Sequence, residues 1–147
     1  MIDRIGRLEL FMQVAHLFSR RATCLRGQVG ALLIRDKRII ASSYNGPPEG
    51  LPHCVDHKCD LSLPCTHAIH AEANVIAFCA KEGIRTKGAI LILTTSPCIK
   101  CSELIIQAGI KIVVYDSEYR DDSGFAMLKA AGILLYKYSP QLKINWE

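Results

Sequence analysis

The chain has 147 residues, 50% of them hydrophobic and 22% charged, with a formal net charge of +4. That length and composition describe one folded domain with its own core and exclude a disordered or low-complexity chain. The charge suits anionic ligands but is too small for a nucleic-acid-coating surface. No apolar run reaches the ~18 residues of a membrane span, and the first twenty residues lack the apolar stretch and cleavage site of a secretory signal. The expectation is a single cytoplasmic domain over 1–147, with no membrane and no stable nucleic-acid partner.

Residues 3–18 carry Ile5, Leu8, Phe11, Met12, Ala15 and Leu17 or Phe18 at helical spacing, which predicts a first helix. QVGALLI (28–34) reads as a buried strand, RDK as a turn and RIIASSY (38–44) as its antiparallel partner. NGPPEGLP (45–52) is dense in turn formers, and irregular chain is expected to continue to about residue 68. A loop of that length is usually functional or pinned. HAEANVIAFCAKEG (70–83) is a helix closed by Gly83 and apolar nearly all round, so a buried one is expected. GAILILTT (88–95) is continuous enough for the middle of a sheet covered on both faces. PCIKCSELIIQAG (97–109) is a helix with Pro97 at its first position and Gly109 at its end. IKIVVY (110–115) is a strand, DDSGFAMLKAAG (121–132) a helix and ILLYKY (133–138) the last strand. The order predicts an α/β protein of three layers, a five-stranded mixed sheet with helices on both faces. Trp146 in the short tail is expected to rest on the body or on a partner.

Seven cysteines and five histidines stand out, and four of the histidines (His53, His57, His67, His70) lie in one short stretch. An odd cysteine count without an export signal argues against a disulfide framework. Cys98 and Cys101, three residues apart at a helix start, share one face. The positive end of a helix favours thiolates. Such a pair suits half a metal site, a redox pair or two packed core thiols. His70, opening the other helix, tips the balance toward metal, because successive crossovers bring helix N-termini to one edge of a sheet. One imidazole and two thiolates neutralise Zn²⁺ and leave a fourth position open, the pattern of a catalytic zinc. Glu72 is the candidate proton carrier, since an acid facing inward on an apolar helix needs a reason. Cys79 reads as plain core.

H-x-E followed by P-C-x-x-C is the signature of zinc-dependent nucleobase deaminases. SYNGPPEGLPHC (43–54), HAEANVIAF (70–78), SPCIKC (96–101) and AGIKIVVY (108–115) resemble the deoxycytidylate deaminases, over nearly the whole chain. The resemblance implies a cytidine-deaminase-like fold and zinc-dependent hydrolysis of dCMP to dUMP. His70, Cys98 and Cys101 would then hold the metal, with Glu72 as acid and base. It also implies a homo-oligomer, often a hexamer, and regulation by dCTP (activating) and dTTP (inhibiting), with Mg²⁺ accompanying the triphosphates. The alternatives are a tRNA adenosine or other nucleobase deaminase, or a dual dCMP/dCTP enzyme.

Three residues are candidates for substrate contact: Asn45 for the sugar 3′-hydroxyl, Arg26 for the 5′-phosphate and Tyr119 closing over the sugar-phosphate. Each has a plain reading beside it, as a turn residue, a surface arginine and a packed ring. The family's usual glycine before Tyr44 is Ser43 here. The Cys/His-rich loop at about 45–69 is expected to carry a second, structural zinc. The resemblance implies Cys24, Cys54, Cys59 and Cys65 as its ligands, and His53, His57 and His67 are alternatives.

Overall fold

The computed structural model describes residues 1–56 and 58–147. Helix α1 (Arg7–Ser19) is followed by strands β1 (Gly30–Arg35) and β2 (Arg38–Tyr44), helix α2 (Ala71–Glu82), strand β3 (Ile90–Thr95), helix α3 (Ile99–Gln107), strand β4 (Ile112–Ser117), helix α4 (Ser123–Ala130) and strand β5 (Leu134–Lys137). The sheet order is β2-β1-β3-β4-β5; β1 runs antiparallel to both β2 and β3, while β3, β4 and β5 are parallel. The expected mixed five-stranded sheet is therefore present, with β3 at its centre.

The period-two alternation of the strands builds two cores. Leu32, Ile34, Ile90, Ile92, Ile112 and Val114 face α1, which offers Leu8, Phe11, Met12 and Ala15. Their neighbours in sequence, Ala31, Leu33, Leu91, Leu93 and Val113, face the opposite way, onto Val75 and Cys79 of α2, Ile105 of α3 and Leu128 of α4. That is why these strands read as continuous apolar runs. Trp146 belongs to the body: with Leu142 and Ile144 it joins the α1 core, its ring edge-on to Phe11 at 5.5 Å between centroids.

Several expected boundaries shift. The first helix starts at Arg7, with Gly6 as its N-cap, so Ile5 lies outside it and is 42% exposed. Strand β1 starts at Gly30 rather than at residue 28, because Val29 N–H donates to the Asn45 side chain and not to a neighbouring strand. Strand β3 starts at Ile90, since Gly88 takes φ +79 in a turn and donates to Gly109 O. Strand β4 runs from Ile112 through Ser117, beyond its expected end. Helix α2 is not buried all round. Ala71, Glu72, Val75 and Cys79 are buried, but Phe78 is 41% exposed, because only one face of the helix meets the sheet. Its end is as expected: Gly83 takes φ +68 and Ile84 N–H returns to Cys79 O. The described residues of 45–56 and 58–70 are largely irregular, with a 3-10 turn at Cys54–Asp56 and a bridge between Gly46 and Ile69 that closes the loop at its base.

Candidate active site and metal centre

The C-terminal end of β3 and the N-termini of α2 and α3 meet at one edge of the sheet. His70 is the N-cap of α2, with extended backbone (ψ 151), and Cys98 is the N-cap of α3 (ψ 170). Pro97 therefore precedes the cap and is not the first helical residue. The reason lies in Cys98, whose sulfur accepts Cys101 N–H at 3.5 Å and satisfies one of the first-turn donors. The extended backbone at His70 also removes a difficulty of its spacing from Glu72. Within a helix, residues two apart point to opposite sides. Here only Glu72 is helical, and both side chains meet at Cys101.

His70 Nδ1 lies 3.5 Å from Cys98 Sγ and 3.5 Å from Cys101 Sγ. Among the described residues these three are the group whose donor atoms all lie within 4.8 Å of one another. Both thiols are free. Glu72 is buried (4% exposed), and burial pushes its carboxyl up to about 7, against the opposing pull of its own backbone N–H and of Cys101. Burial, followed by the nearby Glu72 and Cys98, pushes the Cys101 thiol well above its ordinary range. Two thiols and an imidazole thus converge, and the Glu72 carboxyl lies against one of the thiols, Cys101. That donor set fits a divalent metal of zinc's type, which deprotonates the thiols that ligate it.

Small polar residues brace the centre, and sequence reasoning missed most of them. Ser43 Oγ donates to Ala71 O at 2.6 Å, and Asn74 Nδ2 donates to Tyr44 O at 2.9 Å; together they pin the start of α2 to the end of β2. Ser102 Oγ donates to Cys98 O at 2.9 Å. Helix α4 comes in so closely there that a Cβ on Gly124 would sit 2.3 Å from that hydroxyl. The serine in place of the usual glycine before Tyr44 was the one visible hint.

The substrate candidates are placed differently from one another. Tyr119 is held at the end of β3, its N–H donating to Ser96 Oγ at 2.7 Å, with the Arg120 guanidinium 5.4 Å from its ring centroid. That puts it two residues from Cys98 across the Ser96 contact. Asn45 is buried and engages both ends of its amide: Oδ1 accepts Val29 N–H at 2.7 Å and Nδ2 donates to Gly27 O at 2.9 Å. Arg26 turns its guanidinium onto the carbonyls of Asp60 (2.8 Å) and Leu63, tying down the Cys-rich loop. We expect Asn45→Ala to lower stability by about 1–3 kcal/mol, the cost of leaving a part-buried N–H unpaired. Urea denaturation measures this, and an unchanged midpoint would show that the Val29 bond contributes nothing.

Of the second candidate group, Cys54 is buried, and its thiol is pushed up by burial and then by Cys24, Cys65 and Cys59. Cys65 is lowered by the N–H groups of Ala68 and His67. These thiols therefore neighbour one another, although their sulfurs do not close to the spacing of the first trio. His53 N–H donates to Asp56 Oδ2 at 3.2 Å. His57 lies outside the described residues.

The three-layer arrangement, with a His-Cys-Cys group and a buried glutamate at one sheet edge, is the cytidine-deaminase-like α/β fold. The chain belongs to the cytidine and deoxycytidylate deaminase family, whose zinc-binding region matches residues 6–117. It is 46% identical over 120 residues to ComE operon protein 2 of Bacillus subtilis, covering 81% of this chain and 64% of that protein. It is 38% identical over 140 residues to the deoxycytidylate deaminase of Schizosaccharomyces pombe, covering 88% of this chain and 43% of that one. The chain thus spans less than two thirds of the length of either relative. Among solved structures, dCMP deaminase from the cyanophage S-TIM5 in complex with dCMP and dUMP superposes with a TM-score of 0.85 at 33% identity, over 93% of this chain and 100% of that one. No described helix is long and apolar enough to cross a membrane.

Proposed function

We propose that the protein is a zinc-dependent hydrolase that converts dCMP and water to dUMP and ammonia. The observation that carries this reading is buried Glu72 lying against Cys101 of the His70–Cys98–Cys101 donor group at the strand ends. In this reading His70, Cys98 and Cys101 hold the zinc. When bound, zinc lowers the pKa of water and supplies a nucleophile at neutral pH. Glu72 takes a proton from the attacking water and delivers it to ring N3 of the cytosine; it then takes the remaining proton of the new C4 hydroxyl and passes it to the amino group, which leaves as ammonia, so its carboxyl ends as it began. Tyr119, at the rim, closes over the sugar-phosphate. Asn45 supports the sugar side by fixing the backbone at Gly27 and Val29. Similarity to a protein solved with dCMP and dUMP supports the choice of substrate. The test is ammonia release from dCMP, dCTP, cytidine and an oligonucleotide offered separately. Turnover of dCMP is the expected result, and turnover of the oligonucleotide alone would reject it.

The same reading includes a second, structural zinc on Cys24, Cys54, Cys59 and Cys65, supported by free thiols that perturb one another beneath a long loop. Cys54→Ser should then lower the zinc content by one ion per chain and reduce thermal stability. Elemental analysis checks this, and an unchanged stoichiometry speaks against the site. Family resemblance adds dCTP activation, dTTP inhibition with Mg²⁺ on the triphosphates, a hexamer and a cytoplasmic setting, where reducing conditions keep such thiols free. Activity titrations with each nucleotide and sedimentation of the purified protein test these.

A further inference from the structure

The edge of the sheet opposite the candidate active site is strongly cationic. The β1–β2 turn, the segment before β3, Lys111 before β4 and the residues Trp146 and Glu147 enclose a cavity of about 190 Å³. Five cationic side chains line it, Arg35, Lys37, Arg85, Lys87 and Lys111, against two carboxylates, Asp36 and Glu147. The whole chain carries only +4, so most of its formal excess sits at this one place.

The cluster has a frame. Arg35 donates through Nη2 to the carbonyls of Arg85 and Lys87 (3.0 Å to the latter), which holds the segment bearing both cations against the hairpin. Oxygen ligands already sit among the ammonium groups: Lys111 Nζ donates to the main-chain oxygen of Glu147 at 2.9 Å, and Lys37 Nζ is 4.0 Å from its carboxylate. The Lys37 pair is exposed, 44% and 86% for its two side chains, and exposed pairs contribute little.

The backbone supplies an independent sign. Asp36 and Lys37 form a two-residue hairpin turn at φ 51 and φ 63. Glycine is the unstrained choice at the second position of such a turn. The chain carries a lysine there instead, and strain of this kind is characteristic of functional positions.

We propose that this cavity binds an oligophosphate, and that Glu147, whose main-chain oxygen holds Lys111 at its rim, is displaced when the ligand binds. A chain of phosphates presents several charged oxygens at once and makes charge-assisted hydrogen bonds to lysine and arginine together. One carboxylate cannot match that. The site does not depend on the deaminase reading, and its test reads no turnover.

Trp146, the chain's one tryptophan, lines the cavity and reports on the displacement of its neighbour. Titration of the full chain with inorganic tripolyphosphate at constant ionic strength should give a saturable change in its fluorescence. A nucleoside triphosphate should do the same, if phosphate alone is recognised. Lys37→Gly should raise Tm by relieving the turn and yet weaken binding; combined with Lys111→Ala the loss should be roughly tenfold. Glu147→Gln should tighten binding. No saturable change, an equal change with sodium chloride alone, a response confined to the nucleoside triphosphate, or full affinity in the double variant would each overturn the proposal.

Discussion

Glu72→Gln should cut dCMP turnover by about 10²–10⁴-fold, the usual contribution of a positioned acid and base, while zinc content stays at the parent's level. Glutamine keeps the volume and most of the hydrogen-bonding capacity of the buried side chain but cannot carry a proton. The carboxyl is 4% exposed and lies against Cys101. Binding of substrate should change far less than the rate, so the loss should fall on kcat. Paired measurements of turnover and elemental zinc decide the matter. Loss of zinc together with activity would mean that Glu72 serves the metal group and not the proton transfers. Retained turnover would remove it from the mechanism.

Gly30→Ala should have the largest effect on stability. A Cβ at this position would stand 2.0 Å from Ala15 O and 2.9 Å from Ala15 C, both backbone atoms of α1. No rotamer change relieves such a contact, so the helix must move off the sheet. That displacement loosens Leu8, Phe11 and Met12 from Leu32 and Ile92. A cost of about 3 kcal/mol or more is expected, at the upper end for an overpacked site, which lowers Tm by roughly 10 °C for a chain of this size. Gly30 also begins β1, with its N–H donating to Thr94 Oγ1 at 3.0 Å, so the loss should reach the strand end that carries the site. An unchanged melting curve would contradict the seating of α1 on β1.

The strands and helices were legible because each is long, strongly patterned and flanked by turn residues. The apolar run at 88–95 could occupy only a doubly covered position, and it does so as β3. The limits of the elements were less legible where side chains replace backbone partners. Val29 bonds to the Asn45 side chain instead of a strand, and Cys98 caps α3 with its sulfur so that Pro97 stays outside. Helix α2, apolar nearly all round, looked buried from composition, but a helix against one sheet buries one face, and Phe78 is left on the other.

Spacing along the chain was enough to single out His70, Glu72, Cys98 and Cys101, because zinc chemistry restricts the donor types and helix starts restrict where they can stand. Folding supplied what spacing could not. It brought residues 28 and more positions apart to within 3.5 Å, braced them through Ser43, Asn74 and Ser102, and turned Arg26 onto the Cys-rich loop. It also gathered five cations from three separate segments around one cavity. Such convergence depends on strand order and on the directions of side chains in space, and neither leaves a periodic trace in a linear chain.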